Sequence, residues 1–320
     1  MNRRMLVVLY GLTDAQKARI AAAARARGFE AVFRDNWREA VDDAAEAEII
    51  LSHTDQLARR APKLRWMCAS SAGINQFQGE GVFLNPEAML TNSSGAYGVT
   101  IAEHVTMVTL EMLRRQPEYN GVVERREWTR SLPVRSILGS RAVLLGTGDI
   151  GREVALRLRA FRPARILGVN RGGRCPGDMF DGVATLDGLD AALAECDLLV
   201  ISLPGTRETF HLLDARRLSL LPDGALVVNV GRGTVVDQAA LAAELRAGRL
   251  RAALDVFEQE PIPAGDPLWE CPNLLITPHV AGNMTLAYTV DRIVDLFLED
   301  FENYCEGRPL RRRVDLDRGY

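Results

Sequence analysis

The sequence predicts an α/β protein made of two doubly wound parallel-sheet domains with a cleft between them. Short apolar runs alternate with helix-like stretches almost from end to end, as in parallel sheets covered by helices. A chain of 320 residues is long enough for two domains. The last helical stretch, about 285–306, follows the second series of strands and can pack back on the first series. We therefore expect a discontinuous domain of residues 1–98 and 286–320, and an inserted domain of residues 99–285.

The first series begins with an apolar run at 5–10, which predicts a buried strand. Thr13 is a suitable N-cap for an alanine- and arginine-rich helix that ends at Gly28. The runs at 48–52 and 64–70 predict two further strands.

A long helical pattern starts near Thr100 and leads into the second series. Six apolar runs of strand length follow it, each separated from the next by a connection; they lie at 142–146, 164–169, 197–204, 225–231, 251–256 and 273–278. Asp237 to Ala247 predicts one of the intervening helices, which Gly248 ends.

Composition argues against several classes of protein. The formal net charge of −3 gives no general attraction to nucleic acid or to an anionic membrane. Five scattered cysteines, with no CxxC pair and no zinc-ligand spacing, suit reduced thiols in a cytoplasmic protein without a bound metal. No apolar run approaches the ~18 residues that a membrane helix needs.

A glycine-rich turn, Gly146-Thr-Gly148-Asp149-Ile150-Gly151, follows one of the predicted strands and opens a helix. The first glycine permits the tight turn, the second lets the backbone approach a pyrophosphate, and the third allows helix and strand to pack closely. Because five more strand patterns follow, this position predicts a dinucleotide site rather than an ordinary turn.

The residues after the next strand bear on the choice of cofactor. NAD-binding units normally place a carboxylate there for the ribose hydroxyls, but Asn170 occupies the position in this chain. Arg171 and Arg174 follow it and can pair with a 2′-phosphate. We therefore expect NADP in preference to NAD; the alternative is that both arginines simply face solvent.

Three polar segments follow strands of the second series, at Val230–Thr234, Asp255–Pro261 and Thr277–His279. Ligands of open α/β sheets bind outside the carboxyl ends of the strands, so these segments are expected to converge. A histidine suits proton transfer near neutrality, and a neighbouring carboxylate fixes its tautomer and favours the imidazolium. Glu258 and Glu260 both qualify as that carboxylate.

Together these motifs resemble the D-2-hydroxyacid dehydrogenase family, and the glyoxylate/hydroxypyruvate reductase branch in particular. The matching segments are SSAGINQF (70–77), IAEHV (101–105), GTGDIG (146–151), SLPGTRETFHLL (202–213), NVGRGTVVD (229–237), ALDVFEQEP (253–261) and PLWECPNLLITPHVAG (267–282). The resemblance implies a flavodoxin-like substrate domain, an inserted Rossmann-like dinucleotide domain, and a homodimer formed through the helix near Thr100.

The resemblance also implies roles for individual residues. His279 matches the acid/base, Glu260 its carboxylate partner, and Arg232 the arginine that holds the substrate carboxylate. The loop corresponding to Ala72, Gly73 and Ile74 offers backbone N–H groups to that carboxylate, and Tyr97, Trp66 and Trp269 are candidates for shaping the substrate pocket. Further cofactor contacts are expected at Ser202, Leu203, Pro204, Asn229, Val230, Gly231, Asp255 and Gly282. His104 is expected to be structural.

The sequence thus predicts a cytoplasmic oxidoreductase that transfers a hydride between NAD(P)H and a small 2-oxo acid. Three alternatives share the expected fold: a formate dehydrogenase, a phosphite dehydrogenase, and a non-catalytic protein that senses dinucleotides. Glu260 disfavours the first, because formate dehydrogenases resemble this pattern except for a glutamine at that position.

Overall fold

A computed structural model describes residues 3–316, and the chain forms two compact units. One comprises Met1–Tyr97 with Met284–Tyr320, and the other comprises Gly98–Asn283. Residues 1–2 and 317–320, which belong to the expected domain ranges, lie outside the described part. Each unit is built on a parallel sheet carrying helices, which confirms the predicted fold class.

The first unit contains a parallel five-stranded sheet of order β2-β1-β3-β4-β5. Its strands are β1 (Arg3–Val8), β2 (Phe29–Arg34), β3 (Ile49–Ser52), β4 (Trp66–Ala69) and β5 (Met89–Thr91). β1, β3 and β4 match predicted strands. β2 and β5 were not predicted, because β2 is mostly half-exposed and lacks an apolar run, and β5 has only three residues.

Three helices accompany this sheet: α1 (Asp14–Ala26), α2 (Val41–Ala44) and α9 (Ala287–Cys305). Thr13 caps α1 as expected, in a capping box with Gln16. α9 completes the core of the unit, because its buried Phe297 stacks on Trp66 with ring centroids 5.2 Å apart. Two buried aromatic rings from opposite ends of the chain therefore share one core.

The second unit contains a parallel seven-stranded sheet of order β12-β11-β10-β9-β6-β7-β8. Its strands are β6 (Arg141–Leu145), β7 (Arg165–Val169), β8 (Gly182–Ala184), β9 (Leu198–Ile201), β10 (Leu226–Asn229), β11 (Arg251–Leu254) and β12 (Leu274–Ile276). Its helices are α3 (Gly98–Leu113), α4 (Gln116–Glu124), α5 (Asp149–Arg159), α6 (Leu189–Leu193), α7 (Ala215–Leu220) and α8 (Gln238–Arg246). All six predicted strands are present, and the short, half-buried β8 is additional.

The strand order reverses between β6 and β9, which pair side by side although two strands separate them in sequence. Such a reversal leaves a crevice at the carboxyl ends of the two strands, where ligands bind in open α/β sheets. The glycine-rich turn follows β6 and Ser202 follows β9, so both lie at this reversal. Among the helices within residues 3–316, none is long and apolar enough to cross a membrane.

Candidate active site

The glycine-rich turn connects β6 to the first residues of α5. Gly146 has a φ of +101°, which favours glycine, and a Cβ on Gly151 would lie only 2.0 Å from the Gly146 carbonyl oxygen. A Cβ added at Gly148, by contrast, would meet no atom within 4 Å, and the helix has no side-chain cap. The turn therefore packs tightly on its inner side and leaves the N-terminus of α5 open, which fits a bound pyrophosphate.

Two residues of this turn differ in their surroundings. The Asp149 carboxylate accepts a hydrogen bond from the Gly98 amide at 2.8 Å, which ties α5 to the first residue of α3. Ile150 is half-buried. The Asp149 side chain is thus engaged by α3, and its backbone remains part of the turn.

Asn170 anchors the loop that follows β7. Its Nδ2 donates to Thr147 Oγ1 at 2.7 Å and to the Arg174 carbonyl at 2.9 Å, and its Oδ1 accepts from the Gly172 amide at 3.0 Å. The residue therefore joins this loop to the glycine-rich turn. Arg171 and Arg174 are exposed on the same loop, and no carboxylate stands at the strand end.

The segments that follow β9 and β10 pack against each other, and the first of them also contacts the end of β6. The Ser202 hydroxyl donates to the Leu145 carbonyl at 3.2 Å, and a Cβ on Gly231 would lie 2.6 Å from the Leu203 carbonyl oxygen. Buried Asn229 donates through Nδ2 to the Arg232 carbonyl at 3.0 Å. Of the other residues expected here, Pro204 is exposed and Val230 is buried.

Arg232 lies in the loop after β10, where it is half-buried. Burial lowers the pKa of this guanidinium, and the Glu260 carboxylate opposes that shift. Gly233 makes the approach of the two loops feasible, because a Cβ there would lie 1.9 Å from the Phe257 carbonyl carbon. The Arg232 guanidinium and the Glu260 carboxylate are therefore close enough to interact electrostatically.

His279 and Glu260 form a close pair. Nδ1 of His279 lies 2.6 Å from Oε2 of Glu260, and Oε1 of Glu260 accepts from the Phe257 amide at 2.9 Å. Since an ionised carboxylate only accepts, Nδ1 carries the proton of the neutral ring and Nε2 is left to exchange one. The His279 side chain is 51% exposed, so Nε2 is not sealed in the core.

Glu258, the other candidate partner, points to different groups. Its Oε1 lies 3.0 Å from His211 Nε2 and accepts from the Gln238 amide at 2.8 Å. The choice between the two glutamates, which the sequence left open, thus falls on Glu260 by distance.

Asp255 is 2% exposed and holds the turn that bears His279. Its carboxylate accepts from the Thr277 hydroxyl at 2.6 Å and from the amides of Val280 and Ala281, each at 2.9 Å. Gly282, another expected cofactor contact, is half-buried in the same turn. The carboxylate is therefore occupied by the turn itself.

His104 joins this group, which sequence reasoning did not foresee. Its Nε2 lies 3.2 Å from Thr277 Oγ1 and 3.9 Å from Asp255 Oδ1. The sequence shows His104 only as a single histidine on a predicted helix. Such a residue gives no indication of its partner.

In the first unit, the loop Ala72–Ile74 follows β4 and has a defined conformation. The Asn92 side chain donates to the Ala72 carbonyl at 2.9 Å, and the Ser71 hydroxyl donates to the Gly73 carbonyl at 2.7 Å. Within residues 3–316, no intramolecular backbone acceptor takes the amide protons of Ala72, Gly73 and Ile74.

The aromatic residues proposed for the pocket have separate positions. Tyr97 is 6% exposed, and its hydroxyl donates to the Ser70 carbonyl at 2.5 Å, so the ring supports the 70–74 loop from the core. Trp66 is fully buried in the core against α9, which excludes it from a substrate pocket. Trp269 is 53% exposed, and its indole N–H donates to the Pro263 carbonyl.

Comparison with known proteins places the chain in a family. The profile described as "D-isomer specific 2-hydroxyacid dehydrogenase, NAD binding domain" matches residues 106–281, more than half of the chain. The chain belongs to the D-isomer specific 2-hydroxyacid dehydrogenases. Like its family, it is an NAD(P)-dependent oxidoreductase with a Rossmann-like NAD-binding domain.

Two curated relatives are similar to this dehydrogenase. A glyoxylate/hydroxypyruvate reductase B of Citrobacter koseri is 31% identical over 279 residues, which cover 82% of this chain and 85% of the relative. A D-3-phosphoglycerate dehydrogenase of Archaeoglobus fulgidus is 31% identical over 230 residues; the match covers 71% of this chain but only 43% of that longer protein.

Two solved structures resemble the dehydrogenase over its whole length. A family member from Aeromonas salmonicida is 34% identical with a TM-score of 0.86, covering 99% of this chain and all of that one. A family member from Xanthobacter autotrophicus, solved with NADPH and MES, is 29% identical with a TM-score of 0.80 and full coverage of both chains. Within the described residues, no group of three or more His, Cys, Asp or Glu side chains is placed to hold a metal ion.

Proposed function

We propose that this dehydrogenase reduces a small 2-oxo acid, glyoxylate or hydroxypyruvate, and catalyses the reverse oxidation of the D-2-hydroxy acid. The observation that carries the proposal is the 2.6 Å pair of His279 and Glu260 near the half-buried Arg232, in segments that follow parallel strands of the sheet. The similarity to a glyoxylate/hydroxypyruvate reductase supports the substrate class. Reduction of a 2-oxo acid needs a proton donor and a carboxylate clamp, and these three side chains supply both.

The proposed mechanism assigns one task to each side chain. A bound NADPH or NADH would supply the hydride for the carbonyl carbon of the substrate. His279 gives its Nε2 proton to the carbonyl oxygen, and in the oxidative direction the neutral ring accepts the hydroxyl proton. Glu260 holds Nδ1–H, which keeps the tautomer and stabilises the imidazolium.

Arg232 is proposed to bind the substrate carboxylate. Its planar guanidinium can donate two parallel hydrogen bonds, and its partial burial strengthens them. For the loop Ala72–Ile74 we propose that its amides, which no backbone acceptor within residues 3–316 takes, donate to a carboxylate as well.

The proposed cofactor preference is NADP over NAD. Asn170 brings no negative charge to the end of β7, and exposed Arg171 and Arg174 flank it. A 2′-phosphate would pair with these guanidinium groups, whereas a carboxylate there would repel it. The Xanthobacter relative was solved with NADPH. Arg171→Ala should lower the ratio of NADPH to NADH efficiency, and Arg246→Ala, an exposed arginine on α8, should not; an unchanged ratio in the first variant would refute the preference.

We also propose a homodimer formed through α3, as the family resemblance implies, and a cytoplasmic location. Light scattering of the purified protein tests the oligomer directly: a mass near one chain at micromolar concentration contradicts it.

A substrate panel with a matched pair of histidine variants tests the main proposal. His279 and His211 each lie within 3.0 Å of a glutamate, and both have positive φ, which asparagine tolerates. His279→Asn should lower kcat with glyoxylate by roughly 10²–10⁴-fold, the usual contribution of general acid–base catalysis, while His211→Asn should not. The panel includes hydroxypyruvate, formate and phosphite.

The results of this panel distinguish the proposed function from its alternatives. Oxidation of formate or phosphite in place of reduction of oxo acids would favour a rival dehydrogenase, and cofactor binding without turnover would favour a sensor. A normal rate in His279→Asn would refute the acid/base assignment.

A further inference from the structure

A chain of polar contacts runs from α3 to the turn that carries His279. His104 Nε2 lies 3.2 Å from Thr277 Oγ1, and Thr277 Oγ1 lies 2.6 Å from Asp255 Oδ1. The side chains of His104 and Asp255 are 12% and 2% exposed, so water competes little for these contacts.

The direction of each hydrogen bond follows from the chemistry of the groups. The Asp255 carboxylate can only accept, so the Thr277 hydroxyl proton points to it. The Thr277 oxygen is then left to accept, and His104 must donate from Nε2–H. Burial lowers the pKa of His104, although Asp255 and Glu111 oppose the shift, so the neutral ring with its proton on Nε2 completes the chain.

This chain of polar contacts ends at the backbone around His279. The two oxygens of Asp255 accept from the amides of Val280 and Ala281, and the His279 amide itself donates to the Asp255 carbonyl at 2.9 Å. His279 has a φ of +54°, a conformation that a non-glycine residue keeps only when its surroundings enforce it. The Asp255 carboxylate supplies that enforcement on the C-terminal side of His279.

We propose that His104 and Thr277 are positioning residues for the acid/base, acting through Asp255 to hold the 277–281 turn in its catalytic conformation. This inference rests on the proposed role of His279. His104 touches neither the His279 ring nor Glu260 in the described contacts, so its effect passes through Thr277.

Paired variants test this chain of polar contacts. Thr277→Val removes the hydroxyl at nearly constant shape, and Thr277→Ser keeps it; His104→Leu removes the donor, and His104→Gln restores an N–H donor. Both removing variants should lower kcat by ~10-fold or more with the KM for cofactor unchanged, since small displacements of a catalytic group cost up to ~100-fold. The two restoring variants should recover most of the rate.

Two further comparisons separate positioning from general damage. Thr109→Val removes another buried hydroxyl of α3, one without a hydrogen-bond partner among the described residues, and should leave kcat unchanged. The double variant of His104→Leu with Thr277→Val should lose no more activity than Thr277→Val alone, because both act through one contact. Full additivity, or equal losses in Thr109→Val, would overturn the proposal.

A spectroscopic readout does not depend on turnover. The chain has four histidines, so their ring ¹⁵N signals can be assigned one by one by substitution. His104 should show the Nε2–H tautomer in the unmodified protein and lose it in Thr277→Val but not in Thr277→Ser. An Nδ1–H tautomer of His104, or no response of its signal to Thr277→Val, would overturn the proposed chain of polar contacts. If His104 shows the Nε2–H tautomer but His279→Asn keeps a normal rate, the acid/base role is refuted instead.

Discussion

The Glu260 carboxylate reaches His279 Nδ1 at 2.6 Å with one oxygen while its other oxygen is held by the Phe257 amide. Glu260→Gln keeps an acceptor for that amide but removes the negative charge. We expect kcat for reduction to fall about 100-fold, at the lower end of the roughly 10²–10⁴-fold range of acid–base contributions. The His279 ring then lacks the negatively charged partner that stabilises it as a proton donor.

Pre-steady-state and steady-state rates of reduction measure this loss. Glu258→Gln is the matched control, because Glu258 contacts His211 and not His279. An unchanged kcat in Glu260→Gln, or an equal loss in Glu258→Gln, would contradict the pairing.

Arg232→Lys tests the carboxylate clamp while it keeps a positive charge. A lysine cannot donate two parallel hydrogen bonds to a carboxylate, so kcat/KM for the 2-oxo acid should fall by roughly 100-fold, about 2.7 kcal/mol. The KM for cofactor should change little. Arg246→Lys, at the exposed end of α8, serves as the control, and an equal effect in both variants would count against a specific clamp.

The glycine-rich turn offers a pair of substitutions with opposite expectations. Gly151→Ala places a methyl group 2.0 Å from the Gly146 carbonyl oxygen, so β6 and α5 must separate and the melting temperature should fall by several degrees. Gly148→Ala meets no atom within 4 Å and should leave the melting temperature of the cofactor-free protein unchanged.

The same Gly148→Ala protein should bind dinucleotide at least ~10-fold more weakly, because the methyl group blocks close approach of the phosphates. Differential scanning calorimetry measures the melting temperature, and fluorescence titration measures the affinity for dinucleotide. Unimpaired binding in Gly148→Ala would place the cofactor elsewhere.

Cys68 should make the first unit sensitive to alkali. The thiol is fully buried, and burial raises its pKa to about 12 from the ordinary 9.0. The folded state therefore favours the neutral thiol; this contribution to stability is complete below about pH 9 and is lost as pH rises toward 12. The melting temperature should fall between pH 9 and 10.5, and less steeply in Cys68→Ala.

Cys175→Ala removes an exposed thiol and is the control for this measurement. If both variants keep the slope of the parent protein, the alkaline sensitivity comes from other groups.

The sequence predicted the parts of this molecule that repeat a local pattern. Buried parallel strands are continuous apolar runs, and the glycine spacing at 146–151 records a steric requirement that the structure shows directly. Half-exposed β2 and the three-residue strands β5 and β8 carry no such signal.

Contacts between distant residues were harder to foresee. The sequence placed Glu258 and Glu260 in the same turn, and only the structure shows which one reaches His279. Trp66 was a candidate for the substrate pocket, but its ring is buried by α9, more than 200 residues later in the chain. The contact of His104 with Thr277 depends on how α3 packs on the sheet, which no local pattern encodes.

The arrival of α9 in the core of the first unit has a consequence for biosynthesis. During translation the strands that surround Trp66 leave the ribosome long before Phe297, so their apolar faces stay uncovered while the inserted unit is made. The inserted unit is contiguous in sequence and can mature in the meantime. A circular permutant that begins at Met284 would present both halves of that core together, and should need less help from chaperones to reach its native state.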